Sequence, residues 1–451
     1  MLLPPTTNDD GSDLERDAMK TITKLATMAT TAALCLALTA CGSGGSSTTA
    51  SSGSGNHLTV WAWDPTFNIY AMNEAQKIYA AAHPGFTLDV QEVSWDDIQT
   101  KLTTIAQANQ LDQLPDIFLV QNNAFQKNVT SYPQLFADMT NAGIDYTQYP
   151  KAVVDYSVVD GKNWGLPFDN GAVVAAYRTD VLQQAGYTLD DFTDITWTDF
   201  LTKAKDVLAK TGKPLLSGQA NSSDMMMMML QSSGASLFDA QGKPAIVGNQ
   251  ALMNTIDVYK QMVQAKVYTE VNSWDEYVAS FVNGDVAGVI NGCWILGSIQ
   301  SAKDQSGKWD LTDMPALDGV SGATHYSANG GSSWAISASS KNFTLAADFL
   351  KSTFAGSTQL YDTILPSSGA LANWIPAAKS DVYAQPQPFF SNDAIYAKIV
   401  DYASKVPSNN TSPYYYEARD AVSAAVTQIL GGTDETSALQ QAQQTVEFAM
   451  Q

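Results

Sequence analysis

Cysteine, histidine and cationic side chains are scarce in this chain. Its 451 residues hold three Cys, three His and 24 Lys plus Arg, against 45 Asp plus Glu. Cys35 and Cys41 lie near the N-terminus, so Cys293 stands alone in the body and no disulfide framework can form there. His57, His83 and His325 are scattered, and no His/Cys pair has metal-ligand spacing, so no metal or other cofactor is expected. A formal net charge of −21 repels phosphate backbones and anionic lipid surfaces, which argues against a nucleic-acid partner. HExxH, EF-hand, CxxC, GxSxG and Walker-type patterns are missing, and with them the commonest enzyme signatures. The longest N-terminal apolar stretch, residues 25–40, is short and Thr-rich, whereas a spanning helix needs about 20 apolar residues.

What is there begins with that stretch. Lys20 and Lys24 precede "LATMATTAALCLALTA", which has the layout of a secretory signal over residues 19–40. Leu38-Thr39-Ala40-Cys41 resembles the bacterial lipobox, in which the cysteine is lipidated and becomes the mature N-terminus. Cys41 is therefore the expected lipid anchor, on the outer face of the cell membrane. Residues 41–56, rich in Gly, Ser and Thr, suit a flexible tether. Residues 1–18 are polar and acidic, unlike any signal, and are set aside as a disordered preface or start-site artefact before Met19-Lys20.

The body reads as alternating elements. "HLTVWAWDP" is a strand closed by a turn, "IYAMNEAQKIYAAAHPG" a helix stopped by Pro-Gly, and "FTLDVQEV" a second strand. A helix at residues 95–110 and the apolar strand "PDIFLV" follow. This spacing implies βαβ units, a parallel sheet and an α/β class. Farther on, "NWGLPF", "AVVAAYR", "VAGVIN" and "SWAIS" read as strands. "TWTDFLTKAKDVLAKTG" reads as a helix capped by Thr196 or Thr198. Two helices, residues 414–430 and 435–450, close the chain. In "DMMMMML" consecutive methionines point all round a helix, which suits gap filling in a core.

Taken in order, "LTVWAWDP", "LPDIFLVQNN", "GKNWGLPFDNGAVVAAYRTDVL", "FVNGDVAGVINGCWILGSI", "GGSSWAISASSKNFTLAADFLKSTF" and "PYYYEARDAVSAAVTQILGG" resemble the extracellular solute-binding proteins of ABC importers. The likeness is to the carbohydrate class that includes maltose-binding protein. It implies a two-domain, periplasmic-binding-protein-like fold of type II, with the ligand in a cleft between hinged lobes. The lobes would be residues 57–168 plus 326–366, and 169–325 plus 367–451. It implies a monomeric, non-enzymatic receptor that captures a neutral oligosaccharide and delivers it to permease subunits. A secreted glycoside hydrolase and a sugar sensor for a signalling protein are the alternatives.

Ligands of open α/β sheets sit beyond the C-terminal strand ends. Those ends point to Trp63, Asp64, Gln121, Asn122, Asn123, Asp169 and Asn170 as ligand-binding. Trp274, Trp294, Gly331, Ser332 and Tyr415 complete the set. Aromatic rings can cover the apolar face of a pyranose, and Asp, Asn and Gln can take its hydroxyl rim. By the resemblance, Trp294 in "INGCW" matches a sugar-stacking tryptophan and Tyr415 a second stacking position. Val120 departs from the pattern, where the family's maltose binder has an aromatic.

Overall fold

The computed structural model describes residues 55–451; Cys41, the signal and most of the tether fall outside them. Strands His57–Ala62, Thr87–Glu92 and Ile117–Gln121 pair in parallel. Helices Asn68–Ala82 and Trp95–Ala108 connect them. The second helix is delimited locally. Its first turn is capped by Ser94, whose hydroxyl accepts from the Asp97 N–H at 3.2 Å. It ends at Asn109, which adopts a left-handed conformation.

The sheet is completed from elsewhere in the chain. Strand Ser332–Ile336 inserts antiparallel between Ile117–Gln121 and Leu166–Asp169. All five of its residues are buried, so it sits in the centre of the sheet, flanked by Val60, Phe168 and Phe354 in one core. Fully burying side chains of this size contributes about 1.5–3 kcal/mol each.

A second sheet centres on Val173–Arg178, flanked antiparallel by Gly288–Gly292 and Trp309–Thr312. Leu216–Gln219 and Tyr268–Val271 form a separate parallel pair. Their helices include Trp197–Thr211, capped by Thr196, and Tyr415–Leu430. This core holds Tyr177, Trp197, Tyr259 and Met225 to Met229. All five methionines are buried and fill gaps in this core, and Met227 also reaches a cavity wall.

Several elements differ from the sequence reading. "NWGLPF" does not form one strand: Lys162–Asn163 pairs with Val158–Val159 in a small hairpin, and Leu166–Asp169 joins the large sheet. The first sheet is mixed, because the inserted strand runs antiparallel. Helices Asn122–Ser131, Thr358–Ser368 and Ile395–Lys405 carry weak local signals. The first opens on two asparagines, poor helix formers, and the second contains Pro366.

Candidate functional site

The chain passes between the two sheets along neighbouring tracks. Residues 169–172 and 328–331 run side by side: the Asn329 N–H donates to the Gly171 carbonyl at 2.7 Å, and Ala172 bridges Ala328. The approach leaves no room for side chains. A Cβ on Gly171 would fall 1.9 Å from the Asn329 oxygen. At Gly331, where φ is +88, a Cβ would fall 2.8 Å from the Asn122 amide nitrogen.

A cavity of about 470 Å³ lies over these tracks. The helix starting at Asn122 supplies Asn122, Asn123 and Gln126, and residues 152–156 extend the same side with Tyr156. Met227, Gln231, residues 235–237, residues 406–411 and Tyr415 line the other side. Eight carboxamides reach the lining: Asn122, Asn123, Gln126, Asn170, Gln231, Asn329, Asn409 and Asn410. Among the described residues, no Lys, Arg or His lines it. A carboxamide both donates and accepts, so such a wall suits a neutral ligand whose groups also do both.

Asp169 lies at the cavity floor, where burial is almost complete. Ser332 Oγ donates to its carboxylate. Desolvation pushes the carboxyl up to about 7, against the opposing effect of hydrogen bonds from Ser332. Asn122 is held beside it, its Oδ1 accepting from Ser333 Oγ at 2.9 Å.

Six residues singled out from the sequence line the cavity: Asn122, Asn123, Asp169, Asn170, Gly331 and Tyr415. Ser332 supports the floor through Asp169. Gln121 and Trp294 stand one layer away, against Gly330: a Cβ there would lie 3.6 Å from the Gln121 amide nitrogen and 3.2 Å from the Trp294 indole nitrogen. Trp63 packs into the first lobe's cores. Asp64 is engaged by its own turn, its Oδ1 accepting from the Thr66 N–H and hydroxyl, both at 2.8 Å. Burial raises the Asp64 carboxyl, and the bonds from Thr66 pull against that shift. Trp274 is 36% exposed and touches Trp294, ring centroids 5.8 Å apart.

Sequence reasoning missed Gln126, Tyr156, Gln231, Asn329, Asn409 and Asn410. The Asn409-Asn410 pair in a polar loop was the one local signal. The wall it forms is tertiary: Ser236 Oγ donates to the Asn410 carbonyl at 2.6 Å, and the Asn410 amide to the Phe238 carbonyl at 3.1 Å.

Residues 74–386 match the family model described as bacterial extracellular solute-binding protein. The chain belongs to that family. A lactose-binding protein from Rhizobium radiobacter is 35% identical over 376 residues, which cover 83% of this chain and 89% of that one. Two solved structures have the same two-domain fold. An ABC-transporter-associated binding protein from B. animalis subsp. lactis Bl-04, in complex with beta-1,6-galactobiose, superposes with a TM-score of 0.74 at 19% identity, over 88% of this chain and 97% of that one. The galacto-N-biose-/lacto-N-biose I-binding protein from Bifidobacterium longum, in complex with lacto-N-biose, has a TM-score of 0.71 at 20% identity, over 88% and 98%. These family relatives are binding proteins that act outside the cytoplasm.

Proposed function

We propose that the protein captures a neutral oligosaccharide outside the cell and hands it to an ABC permease, tethered to the membrane through Cys41. The observation that carries the sugar reading is the cavity lining, eight carboxamides and, among the described residues, no cation. A saccharide presents many hydroxyls, each a donor and an acceptor, and such a lining can satisfy both roles. Tyr156 and Tyr415 line the cavity too and offer rings for a pyranose face. A volume of about 470 Å³ lies within the usual range for small-molecule sites, roughly 300–1,000 Å³. The 35% identical relative is a lactose-binding protein, so lactose is the first ligand to try.

No chemistry on the sugar is required by this reading. Among the described residues, the acids that reach the cavity are Asp155 and Asp169. Asp155 is half-exposed and paired with Lys151, and Asp169 is held by Ser332. The test is to saturate the protein with lactose, incubate, and chromatograph the sugar. The reading expects bound lactose recovered intact; accumulation of galactose and glucose would point to a hydrolase instead. The anchor is tested separately: Cys41→Ser should release the protein from the membrane fraction.

A further inference from the structure

The two lobes also meet outside the cavity. Trp95 opens a helix of the first lobe, and its ring lies 5.2 Å from that of Tyr416 in the second. The Arg419 guanidinium lies over both rings, 5.4 Å from Trp95 and 4.8 Å from Tyr416. Asp224 holds that guanidinium from its own lobe, at 3.1 Å. Beside this stack, Lys127 pairs with Glu417 and lies 5.6 Å from the Tyr414 ring. The two sides belong to different cores: Ile98 and Leu102, on the helix of Trp95, pack in the first, and Ala418 and Val422, on the helix of Arg419, in the second.

This seam is not an ordinary core contact. It is made of charges and rings. Cation–π contacts and an ion pair favour it. Against it, the Trp95 indole N–H and the Gln99 amide nitrogen are buried with no hydrogen-bond partner, and both would find one in water. Attraction and desolvation therefore oppose each other within a few side chains. The seam also adjoins the cavity. Tyr415 lines the cavity while Tyr416 stands in the seam, and the helix that carries Lys127 also carries Asn123 and Gln126.

We infer that this seam is a closure contact, which sets the affinity of the cavity from outside it by fixing how much of the protein holds its lobes together. The inference rests on the reading above, that a neutral sugar binds between the lobes. Apparent affinity scales with the fraction of molecules in the binding-competent state. Trp95, Lys127, Glu417 and Arg419 then act as positioning residues.

A neutral ligand makes the test clean. Its own contacts carry no net charge, so salt acts on affinity through the protein's charges, and Lys127→Met separates the seam's ion pair from the rest. Lactose is titrated into the intact chain, with other neutral disaccharides as further probes, and small-angle scattering follows the sugar-free form. Raising salt from about 0.05 to 0.5 M should weaken wild-type binding about two- to fivefold, and Lys127→Met should flatten that dependence. Trp95→Ala should weaken binding by about three- to tenfold and enlarge the sugar-free radius of gyration. Trp95→Phe keeps a ring over Arg419 and removes the unpaired N–H, so it should bind at least as tightly as wild type. Salt-independent wild-type affinity, together with unchanged binding and scattering in Trp95→Ala, would overturn the closure role. If no neutral sugar binds at all, the sugar reading fails by itself, and the scattering comparison of Trp95→Ala with wild type still decides the seam.

Discussion

The indole N–H of Trp294 donates to the backbone carbonyl of Asn329 at 2.9 Å. This bond ties a ring from the end of strand Gly288–Gly292 to the track that floors the cavity. The Asn329 side chain is held from the same strand, its amide donating to Asn291 Oδ1 at 2.9 Å. Trp294 therefore braces the floor, with its ring against Gly330, and does not line the cavity.

That placement separates two substitutions. Trp294→Phe keeps most of the packed area and loses the hydrogen bond, a cost of about 1 kcal/mol. Trp294→Ala loses both and frees the floor. We expect lactose affinity to fall about fivefold at most in Trp294→Phe and further in Trp294→Ala, as the floor loosens, read by calorimetry. Equal losses in the two variants would mean the ring's area matters little.

Asp169 gives a pH signature. Its folded-state carboxyl is raised to about 7 from an ordinary value of 3.8. Between those values the folded protein binds more protons at this site than the unfolded chain does. The stability due to the protonated form is thus fully present below the unfolded value and is lost as pH rises through about 7. Asp169→Asn cannot ionise and can still accept from the Ser332 hydroxyl. Relative to wild type, its melting temperature should climb between pH 4 and pH 8, with a gain of a few kcal/mol at most. Parallel melting curves across that range would show that Asp169 is ionised at little cost.

Cys293 is fully buried, and its thiol is pushed well up, chiefly by desolvation and then by the charge of Asp169. Its Sγ lies 3.2 Å from the Asn170 carbonyl. A thiol in this state is a poor nucleophile. It should stay unmodified by a thiol reagent in the native protein and react once the chain is unfolded. Cys293→Ala should keep the fold, at a cost of about 1–2 kcal/mol for the small void. Rapid native labelling would mean that the floor opens readily.

Gly331 is predicted to be intolerant. A methyl there must enter space occupied by the Asn122 amide, at a φ of +88 that L-residues avoid. Gly331→Ala should lower stability by about 1–3 kcal/mol and weaken sugar binding, because Asn122 must move. Wild-type affinity in a folded Gly331→Ala protein would remove Asn122 from the site.

How much of this could be read in the chain depends on the range of the forces involved. "PDIFLV" announces a strand because its apolar run is continuous, and Thr196 announces a helix start through short-range capping. Strand Leu216–Gln219 gives no such sign. It is four residues long and contains Gly218, which is there because the Tyr268 hydroxyl from the neighbouring strand fills the space of a Cβ. The rule that ligands lie beyond strand ends leads to Gln121–Asn123 and to Asp169–Asn170, of which all but Gln121 reach the cavity lining. The same rule leads to Asp64, whose carboxylate is engaged by Thr66 two residues later. Asn409 and Asn410 depend on contacts with residues 235–238, far away in sequence, and no local pattern marks such pairing.

Whether the carboxamide-lined cavity takes a neutral saccharide is decided by calorimetric titration of wild type and Tyr415→Ala with lactose, related neutral disaccharides and charged solutes of similar size. The expected result is saturable one-to-one binding of at least one neutral disaccharide, no binding of the charged solutes, and about thirtyfold weaker binding in Tyr415→Ala, as when an aromatic anchor covered by its ligand is truncated. Tight binding of a charged solute, with neutral sugars inert and Tyr415→Ala indistinguishable from wild type, would contradict it.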